Sequence, residues 1–409
     1  MKCRHCAFEL DLDLIDLGTS PPSNAFLAPS RLAGPEKYFP LRVGVCRRCW
    51  LVQTEDYSAA EDLFDAGYLY FSAFSSSWLA HCEEYVAAAC DRFSLGERSL
   101  VVEIAANDGY LLQYFSERDI PCYGVEPTAS TAEAARQRGI DIVQEFFCST
   151  LAQQLCRERG AADLIVANNV LAHVPDINDF VAGITCLLKP TGVATFEFPH
   201  LFQLVEHSQF DTIYHEHFSY LSLLAVEKIF GAAGLSVFDV EQLPTHGGSL
   251  RLFAQRSDTG HYPVHPGLDA VRSLEFSRGM GSADFYRGLQ GNAERIKDNF
   301  LEFLISAKRR GERVAAYGAA AKGNTLLNFA GIRSDLIAFV VDRNPSKQGK
   351  FLPGSRIPVV GEARLHEEKP AWVIVLPWNL KDELSAQLGY VRSWGGQLCV
   401  VVPKMLILS

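Results

Sequence analysis

The sequence has no apolar run of about 18 residues, so we predict no membrane-spanning segment. It opens on a cysteine motif rather than on an apolar leader, and we expect no signal peptide. Positive charge is also scarce: 38 basic against 48 acidic residues give a net charge of −10, which argues against a nucleic-acid partner. Short repeats and low-complexity segments are missing. We therefore expect a cytoplasmic globular protein with no obligate protein partner.

Length and the alternation of patterns predict three regions. A chain of 409 residues exceeds one ordinary core. Buried strand patterns alternate with helical ones after residue 99, which predicts βαβ units and a doubly wound sheet. A second alternation starts near residue 313. We predict an α/β protein with an N-terminal zinc-binding module at 1–60, a cofactor-binding domain at 61–256, and a helical connection with a smaller Rossmann-like domain at 257–409.

Two C-x-x-C pairs stand near the N-terminus, formed by Cys3, Cys6, Cys46 and Cys49. Their thiolates can meet on one tetrahedral ion at about 2.3 Å, as a structural zinc site requires. Four unrelated cysteines or a redox pair are the alternatives, and two pairs of matched spacing favour Zn²⁺. Because four thiolates leave no open coordination position, we expect the zinc to hold structure and the chemistry to lie elsewhere.

The first buried strand, at 101–104, leads through a turn of small residues into a helix. Such a turn lets the backbone approach a ligand closely, although a complete G-x-G-x-x-G fingerprint is missing. One carboxylate ends this strand and another ends the next, where it can accept both ribose hydroxyls. This ordered set suits S-adenosylmethionine and favours a class I methyltransferase. The predicted cofactor residues are Glu103, Ala105, Asn107, Gly109, Glu126, Phe146 and Asn168.

Two of these residues have simpler explanations. Glu126 could be a solvated strand end, and Phe146 could belong to a core pair with Phe147.

The segment 214–220 groups two histidines, two tyrosines and a glutamate. A histidine can remove a proton at neutral pH, a neighbouring glutamate can orient the imidazole, and a tyrosine can donate to an enolate oxygen. A surface pair is one alternative. A second metal site from His215, Glu216 and His217 is another, although the spacing matches no familiar metal motif. His173 follows a strand and is predicted at the carboxyl edge of the sheet, unless it faces solvent at a helix start.

Two later clusters suit substrate binding. The glycine-containing segment 244–251 carries a histidine and an arginine that could serve an anion or orient a carbonyl, or it is a plain β-turn. The segment 317–324 follows a strand and begins a helix whose N–H groups and lysine suit a pyrophosphate. The alternative is a Rossmann-like turn that is retained but binds no ligand. The predicted substrate residues in these clusters are His246, Arg251, Tyr317, Lys322 and Asn324. Asp342 ends the next strand and could contact a ribose or base, or simply make a turn, and Asn379 is implied only by the family resemblance described next.

Several motifs in this order carry a specific resemblance: the paired C-x-x-C, VEIAANDG at 102–109, YHEHFSY at 214–220, HGGSLR at 246–251, YGAAAKGN at 317–324 and LPWN at 376–379. Over nearly its whole length the chain resembles the sugar C-methyltransferase family, which includes the C-3′-methyltransferases of branched deoxysugar biosynthesis. The resemblance implies S-adenosylmethionine, four-cysteine zinc, and a nucleotide-linked 4-keto-deoxysugar, often dTDP-linked. Ala106 departs from the serine of many relatives.

By this resemblance, His217 is the general base, with Tyr214 and Glu216 as its partners. His173 and one nearby tyrosine, for which we favour Tyr68 over Tyr70, resemble further active-site groups. The implied reaction is loss of a proton from carbon beside the ketone, followed by methylation of that carbon.

Two other functions remain open at this stage. A small-molecule O- or N-methyltransferase would not need the 214–220 cluster, because deprotonating a hydroxyl is sufficient. A zinc-ribbon binding protein that retained a methyltransferase-like domain gains slight support from the basic zinc flanks, but the acidic total charge and the cofactor elements argue against it.

Overall fold

The computed structural model describes residues 1–57 and 71–408, and their strands form three sheets. Strands are numbered here in chain order: β1 (Leu12–Ser20), β2 (Phe39–Val45), β3 (Val52–Thr54), β4 (Val101–Ile104), β5 (Cys122–Val125), β6 (Ile142–Val143), β7 (Ala162–Asn168), β8 (Leu188–Pro199), β9 (Ser219–Tyr220), β10 (Leu235–Leu243), β11 (Ser249–Arg256), β12 (Val314–Tyr317), β13 (Val340–Val341), β14 (Val359–Val360), β15 (Trp372–Val375), β16 (Gln397–Val400) and β17 (Leu406–Leu408).

The α-helices in the described ranges are numbered in the same way: α1 (Ser76–Phe93), α2 (Leu112–Ser116), α3 (Ala129–Gln137), α4 (Ser149–Arg159), α5 (Ile177–Leu187), α6 (Leu201–Glu206), α7 (Leu223–Ala232), α8 (Pro266–Ser277), α9 (Leu289–Arg309), α10 (Ala321–Phe329), α11 (Ala363–Glu368) and α12 (Lys381–Gln387). Polar N-cap residues define where several helices begin. The side chains of Asp176 and Ser222 accept hydrogen bonds from backbone N–H groups in the first turns of α5 and α7. None of the helices in the described residues is both long and apolar enough to cross a membrane.

The middle sheet has the order β10-β11-β8-β7-β4-β5-β6. Strands β4 to β8 run parallel, whereas β11 is antiparallel to both of its neighbours. All four residues of β4 are buried, as in a sheet covered on both faces. The order reverses between β4 and β7, so their carboxyl ends open a crevice suited to a ligand. The predicted doubly wound sheet is confirmed.

The C-terminal sheet repeats this principle with the order β14-β13-β12-β15-β16-β17. Its first five strands in this order run parallel, and β17 closes the edge antiparallel to β16. This is the strand order of a Rossmann-like fold, as predicted, and its reversal lies between β12 and β15. The helical connection consists of α8 and α9.

The N-terminal sheet is antiparallel, with the order β1-β2-β3-β9. Its last strand does not come from the N-terminal region but from the segment 214–220, because Val52 pairs with Tyr220 and Gln53 with Ser219. One hydrophobic core joins this sheet to α9 and to the C-terminal sheet. The N-terminal region is therefore built into the molecule rather than appended to it. The predicted boundary at residue 60 lies outside the described residues, and the boundary at 256 stays a prediction.

Candidate active site and zinc centre

A cavity of about 470 Å³ lies at the carboxyl ends of β4, β5, β7 and β8 and reaches the start of α10. Its wall combines the middle sheet with Asn24 from the N-terminal region and Lys322 and Lys347 from the C-terminal domain. The position at the reversal of strand order is the one expected for a ligand site in such a sheet. The predicted site residues that line it are Ala105, Asn107, Glu126, Phe146, Asn168, His173, Tyr214, Glu216, His217, His246 and Lys322.

The turn after β4 bends sharply through left-handed backbone conformations, with φ of +59° at Ala105, +49° at Asn107 and +76° at Gly109. Such conformations disfavour a side chain, which makes the two non-glycine residues notable at this position. Gly109 does not line the cavity; a Cβ there would lie 3.3 Å from that of Ala135 in α3. Its predicted role is therefore corrected from ligand contact to close packing.

The carboxylate of Glu126 closes this turn. Its Oε2 accepts the N–H of Asn107 at 3.0 Å, and its Oε1 accepts the N–H of Thr128 at 2.9 Å and the hydroxyl of Thr131 at 3.0 Å. Burial raises the pKa of Glu126, and these donors oppose the shift. The residue is 5% exposed and faces the cavity, so it is a held acceptor rather than a solvated strand end.

Two further residues complete a surface that fits an adenosine group. Asn168 is buried, and among the described residues neither its Nδ2 nor its Oδ1 has a hydrogen-bond partner. A buried amide without partners costs free energy unless a ligand satisfies it. Phe146 is 40% exposed on the opposite wall and offers an aromatic face. The set of Asn168, Phe146 and Glu126 therefore matches the groups of S-adenosylmethionine.

Glu103 departs from the prediction. Its carboxylate is fully buried at the end of β4 and does not line the cavity. Burial raises the pKa of Glu103 well above its ordinary value, against an opposing contribution from the Tyr110 hydroxyl. Side chains alternate between the faces of a strand, and Ile104 rather than Glu103 contributes to the cavity wall.

His217 lies in the cavity wall with a defined tautomer. Its Nδ1 lies 2.9 Å from the carbonyl oxygen of Thr212, and because a carbonyl only accepts, Nδ1 carries the proton and Nε2 the lone pair. Burial lowers the pKa of His217 well below 6.5, and His173 and Lys322 add to the shift. The imidazole is therefore neutral at pH 7, which is the form that can accept a proton.

His173 sits beside His217, with the ring centroids 4.7 Å apart. Its Nδ1 donates to the backbone carbonyl of Glu216 at 2.6 Å, and burial lowers its pKa to about 4. On the other side, the Tyr214 ring lies over His217 with a centroid distance of 4.0 Å. Three of the groups predicted as catalytic thus form one compact cluster.

The carboxylate of Glu216 is not bound to His217. Its Oε1 accepts the backbone N–H of Asn24 at 3.2 Å and the side-chain amide of Asn24 at 3.1 Å. Thr212 orients the imidazole instead, so the predicted orienting role of Glu216 is corrected. Oε2 of Glu216 is buried without a hydrogen bond to the described residues, and the residue lines the cavity. Burial raises the pKa of this carboxyl group.

His215 points away from the cavity towards the N-terminal sheet. Its Nε2 lies 3.1 Å from the carbonyl oxygen of Pro40, and its ring meets Phe39 edge to face. The alternative of a second metal site is not supported, because the described residues contain a single group with metal-binding geometry, the four cysteines. Tyr68 lies outside the described residues.

Three further cationic or imidazole groups, His246, Lys322 and Lys347, line the cavity. Nε2 of His246 lies 3.4 Å from the side-chain amide nitrogen of Asn169, and burial lowers the pKa of His246 to about 4. Lys322 donates to Oδ1 of Asn379 at 2.7 Å, and burial lowers its pKa to about 8. Lys347 donates to the carbonyl oxygen of Ala319 at 2.9 Å, just before α10.

Arg251 does not line the cavity. Its guanidinium lies 2.8 Å from the buried carboxylate of Glu197 on the neighbouring strand and over the Tyr85 ring. Glu197 in turn accepts the hydroxyl of Thr245 at 2.9 Å. Arg251 therefore supports the loop that presents His246, rather than contacting a ligand itself.

The other four predicted substrate residues are also absent from the cavity wall. The Tyr317 hydroxyl accepts from Gln387 at 2.7 Å, and Asn324 donates to the carbonyl of Ser23 at 2.6 Å. Both are structural contacts. Asp342 and Asn379 support residues at the cavity rather than line it. Asp342 accepts the N–H of Ala319 at 2.8 Å, and Asn379 accepts a hydrogen bond from Lys322.

Sequence reasoning missed Asn24, Thr212 and Lys347 as contributors to the site. Asn24 lies in a Ser/Pro-rich loop and Lys347 in the turn after β13, and both loops carry turn signals but no chemical motif. The one available hint for Lys347 was a basic residue two positions after Pro345, in a turn that follows a strand.

The four cysteines meet as predicted. Their Sγ atoms all lie within 4.8 Å of one another, with Cys3–Cys49 at 3.4 Å and Cys6–Cys46 at 3.5 Å. Sulfur atoms bound tetrahedrally to zinc at about 2.3 Å lie about 3.8 Å apart, so the cluster fits Zn²⁺. The two pairs form matching knuckles, because Ala7 and Trp50, each just after a second cysteine, have φ of +57° and +66°.

Comparison with known families agrees with these sites. A model described as a zinc binding domain matches residues 3–64, one for a methyltransferase domain matches 78–240, and one for a C-methyltransferase C-terminal domain matches 244–403. C-methyltransferase NovU of Streptomyces niveus is 33% identical over 408 residues, which is 100% of this chain and 97% of the relative.

The chain belongs to this C-methyltransferase family. It is an S-adenosylmethionine-dependent C-methyltransferase with a zinc-binding N-terminal region.

Other similarities are confined to part of this methyltransferase. A ubiquinone biosynthesis O-methyltransferase of Rhodopseudomonas palustris (strain BisB18) is 29% identical over 115 residues, 26% of this chain and 44% of the relative. The structure of magnesium protoporphyrin IX methyltransferase from Synechocystis PCC 6803 covers 44% of this chain and 79% of its own, at 17% identity and a TM-score of 0.34. These partial matches support no conclusion about the substrate.

Proposed function

We propose that this methyltransferase adds a methyl group to C3 of a nucleotide-linked 4-keto-deoxysugar, with a dTDP sugar as the first candidate. The observation that carries the proposal is the position of His217. A neutral imidazole with its lone pair on Nε2 lines the same cavity as the Glu126 and Asn168 surface. Methylation of a carbon beside a ketone needs a base near the methyl donor, and the neutral imidazole of His217 in this cavity supports that role.

The proposed reaction follows from the acidity of a C–H bond beside a ketone. His217 accepts the C3 proton on Nε2, and the electron pair of the broken bond spreads onto the ketone oxygen as an enolate. Tyr214, whose ring lies on His217, is the proposed donor to that oxygen. Bound S-adenosylmethionine supplies an electrophilic methyl group: the C3–CH₃ bond forms as the C–S bond breaks, which leaves S-adenosylhomocysteine.

Glu216 and His173 have distinct proposed roles around this base. Oε1 of Glu216 is occupied by Asn24, which leaves Oε2, buried in the cavity wall, to accept a sugar hydroxyl. His173 contributes its neutral ring beside His217, while burial and the nearby cation of Lys322 keep the protonated form of His217 unfavourable. Tyr68 stays a prediction from the resemblance to the family.

The C-terminal domain is the proposed site for the nucleotide end of the substrate. The side chain of Lys347 is only 12% exposed, and Lys322 is held by Asn379 and the Trp378 ring, so both cations are fixed at the cavity. They flank the N-terminal end of α10, where backbone N–H groups and the helix dipole favour an anion. This arrangement suits the diphosphate of a nucleotide sugar.

The test is incubation of the enzyme and S-adenosylmethionine with dTDP-, GDP- and CDP-linked 4-keto-6-deoxysugars. Mass spectrometry should show a product heavier by one methylene, and NMR should place the new methyl group on C3. Methylation of a hydroxyl or an amine across the panel would contradict the proposal.

A further inference from the structure

Arg4 of the first zinc knuckle contacts segments next to His173 and His217, whereas Arg47 of the second knuckle forms a surface ion pair. The side chain of Arg4, between Cys3 and Cys6, is only 5% exposed. Arg47 holds the equivalent place between Cys46 and Cys49, and its ion pair with Asp11 lies at the surface, with the two side chains 44% and 58% exposed. The same residue at the same knuckle position thus has two different environments.

Arg4 connects three backbone segments around the active site. Its Nη1 donates to the carbonyl oxygen of Pro175 at 2.9 Å, two residues after His173. Its Nη2 donates to the carbonyl oxygen of Thr54 at 3.0 Å and pairs with Asp56 at 2.9 Å. The guanidinium also lies over the Phe218 ring, 5.5 Å from its centroid.

Thr54 links Arg4 to the segment that contains His217. Its Oγ1 donates to the carbonyl oxygen of His217 at 3.1 Å, and its N–H donates to that of Phe218 at 3.2 Å. Phe218 donates in turn to the carbonyl oxygen of Ala172, the residue before His173. Two hydrogen bonds therefore link Arg4 to the backbone of His217, and one links it to Pro175, two residues after His173.

We propose that Arg4 is a positioning residue, which uses the rigidity of the zinc knuckle to hold His173 and His217 in their working arrangement. The knuckle is well suited to this task because two metal–thiolate bonds, from Cys3 and Cys6, would fix its backbone more firmly than a hydrogen-bonded turn alone. A guanidinium can reach two carbonyl oxygens at once through its planar fork, which an ammonium cannot do with the same geometry. The inference rests on the proposed role of His217 as base.

The experiment compares Arg4→Gln, Arg4→Lys and the matched control Arg47→Gln. Zinc content, melting temperature and S-adenosylmethionine affinity are measured first, and kcat is expressed per cofactor-binding site so that unfolded protein does not count. We expect Arg4→Gln to keep its zinc and cofactor affinity, to lose about tenfold in kcat and to change KM less than about twofold, because small displacements of reacting groups are costly. Arg4→Lys should recover part of the loss, and Arg47→Gln should match the parent.

A readout without substrate separates this inference from the proposed reaction. The ¹⁵N spectrum of the 11 labelled histidines, with His217 and His173 assigned from their own variants, reports tautomer and pKa. In Arg4→Gln the pKa of His217 should rise towards 6.5, and it should not move in Arg47→Gln. Unchanged imidazole signals in zinc-loaded Arg4→Gln would overturn the positioning role, and so would loss of zinc from that variant, since Arg4 would then serve the metal site. Absence of methyl transfer by the parent enzyme overturns the proposed function alone.

Discussion

The cofactor half of the cavity and its proposed proton-transfer half are built in different ways. The cofactor half comes from one sheet, and its key carboxylate, Glu126, is held by neighbours close in sequence. The proton-transfer half gathers Asn24, His217 and Lys322 from three regions of the chain. The first half depends on local structure, and the second depends on how the regions pack. It follows that cofactor binding can survive changes that stop proton transfer, and the predictions below test this separation.

The largest effect is expected from His217→Gln, which removes the base and keeps a side chain of similar reach. Methyl transfer should fall by about 10²- to 10⁴-fold, the usual worth of a general base. S-adenosylmethionine affinity, measured by calorimetry, should change less than about twofold. His215→Gln is the neighbouring control, since His215 points to Pro40, and it should keep kcat within a fewfold of the parent. Parent-like turnover by His217→Gln would break the assignment of the base.

The converse change is Glu126→Gln in the cofactor half. A glutamine would turn its amide NH₂ towards at least one of the donors that the carboxylate now accepts. We expect about a tenfold loss in S-adenosylmethionine affinity by calorimetry, with proton exchange at the sugar unaffected. The exposed Glu133→Gln in α3 is the matched control. If Glu126→Gln stopped proton exchange as strongly as cofactor binding, the two halves would not be separable.

Lys322→Met tests the nucleotide end. Loss of one fixed cation should raise the KM of the nucleotide sugar about tenfold and leave the KM of S-adenosylmethionine near the parent value. Because the pKa of Lys322 is about 8, the affinity of the parent enzyme for the sugar should fall as pH rises through 8. This alkaline loss of affinity should be absent from the variant. Lys381→Met, at an exposed lysine, is the control. If the affinity of Lys322→Met for the sugar still fell above pH 8, another group would be responsible for the pH dependence.

The smallest effect concerns the acid side of the pH profile. His217 acts as a base only when neutral, and its pKa is held well below 6.5 by burial. The kcat/KM of methyl transfer should therefore stay level as pH falls from 7 through 6.5, whereas an ordinary imidazole would lose about tenfold by pH 5.5. Initial rates at saturating S-adenosylmethionine between pH 5 and 8 measure this. A midpoint near 6.5 would mean that the base lies in water rather than in the cavity.

The sequence predicted best what depends on residues close in the chain. The two cysteine pairs, the turn after β4 and the strand-end position of Glu126 all follow from short-range spacing, and each is where the pattern indicated. Likewise, the α/β alternation predicted the doubly wound sheet and the Rossmann-like C-terminal domain.

Long-range pairing explains what the sequence did not reveal. Arg251 lies directly opposite Glu197 because β11 pairs with β8, and this register uses the guanidinium for an internal ion pair. Asn24 reaches Glu216 across 192 positions of sequence. Thr212 is close to His217 in sequence, but it orients the ring through a backbone carbonyl, a group that every residue has. Spacing patterns carry no record of either contact.

The most direct test of the central claim is exchange of the C3 hydrogen in D₂O, with the ketosugar, the enzyme and S-adenosylhomocysteine in place of the methyl donor. Mass spectrometry should show uptake of one deuterium that depends on His217, with the His217→Gln variant at the rate of the enzyme-free control. Equal uptake with and without this imidazole, or methylation by the parent without any exchange or isotope effect at C3, would contradict the account.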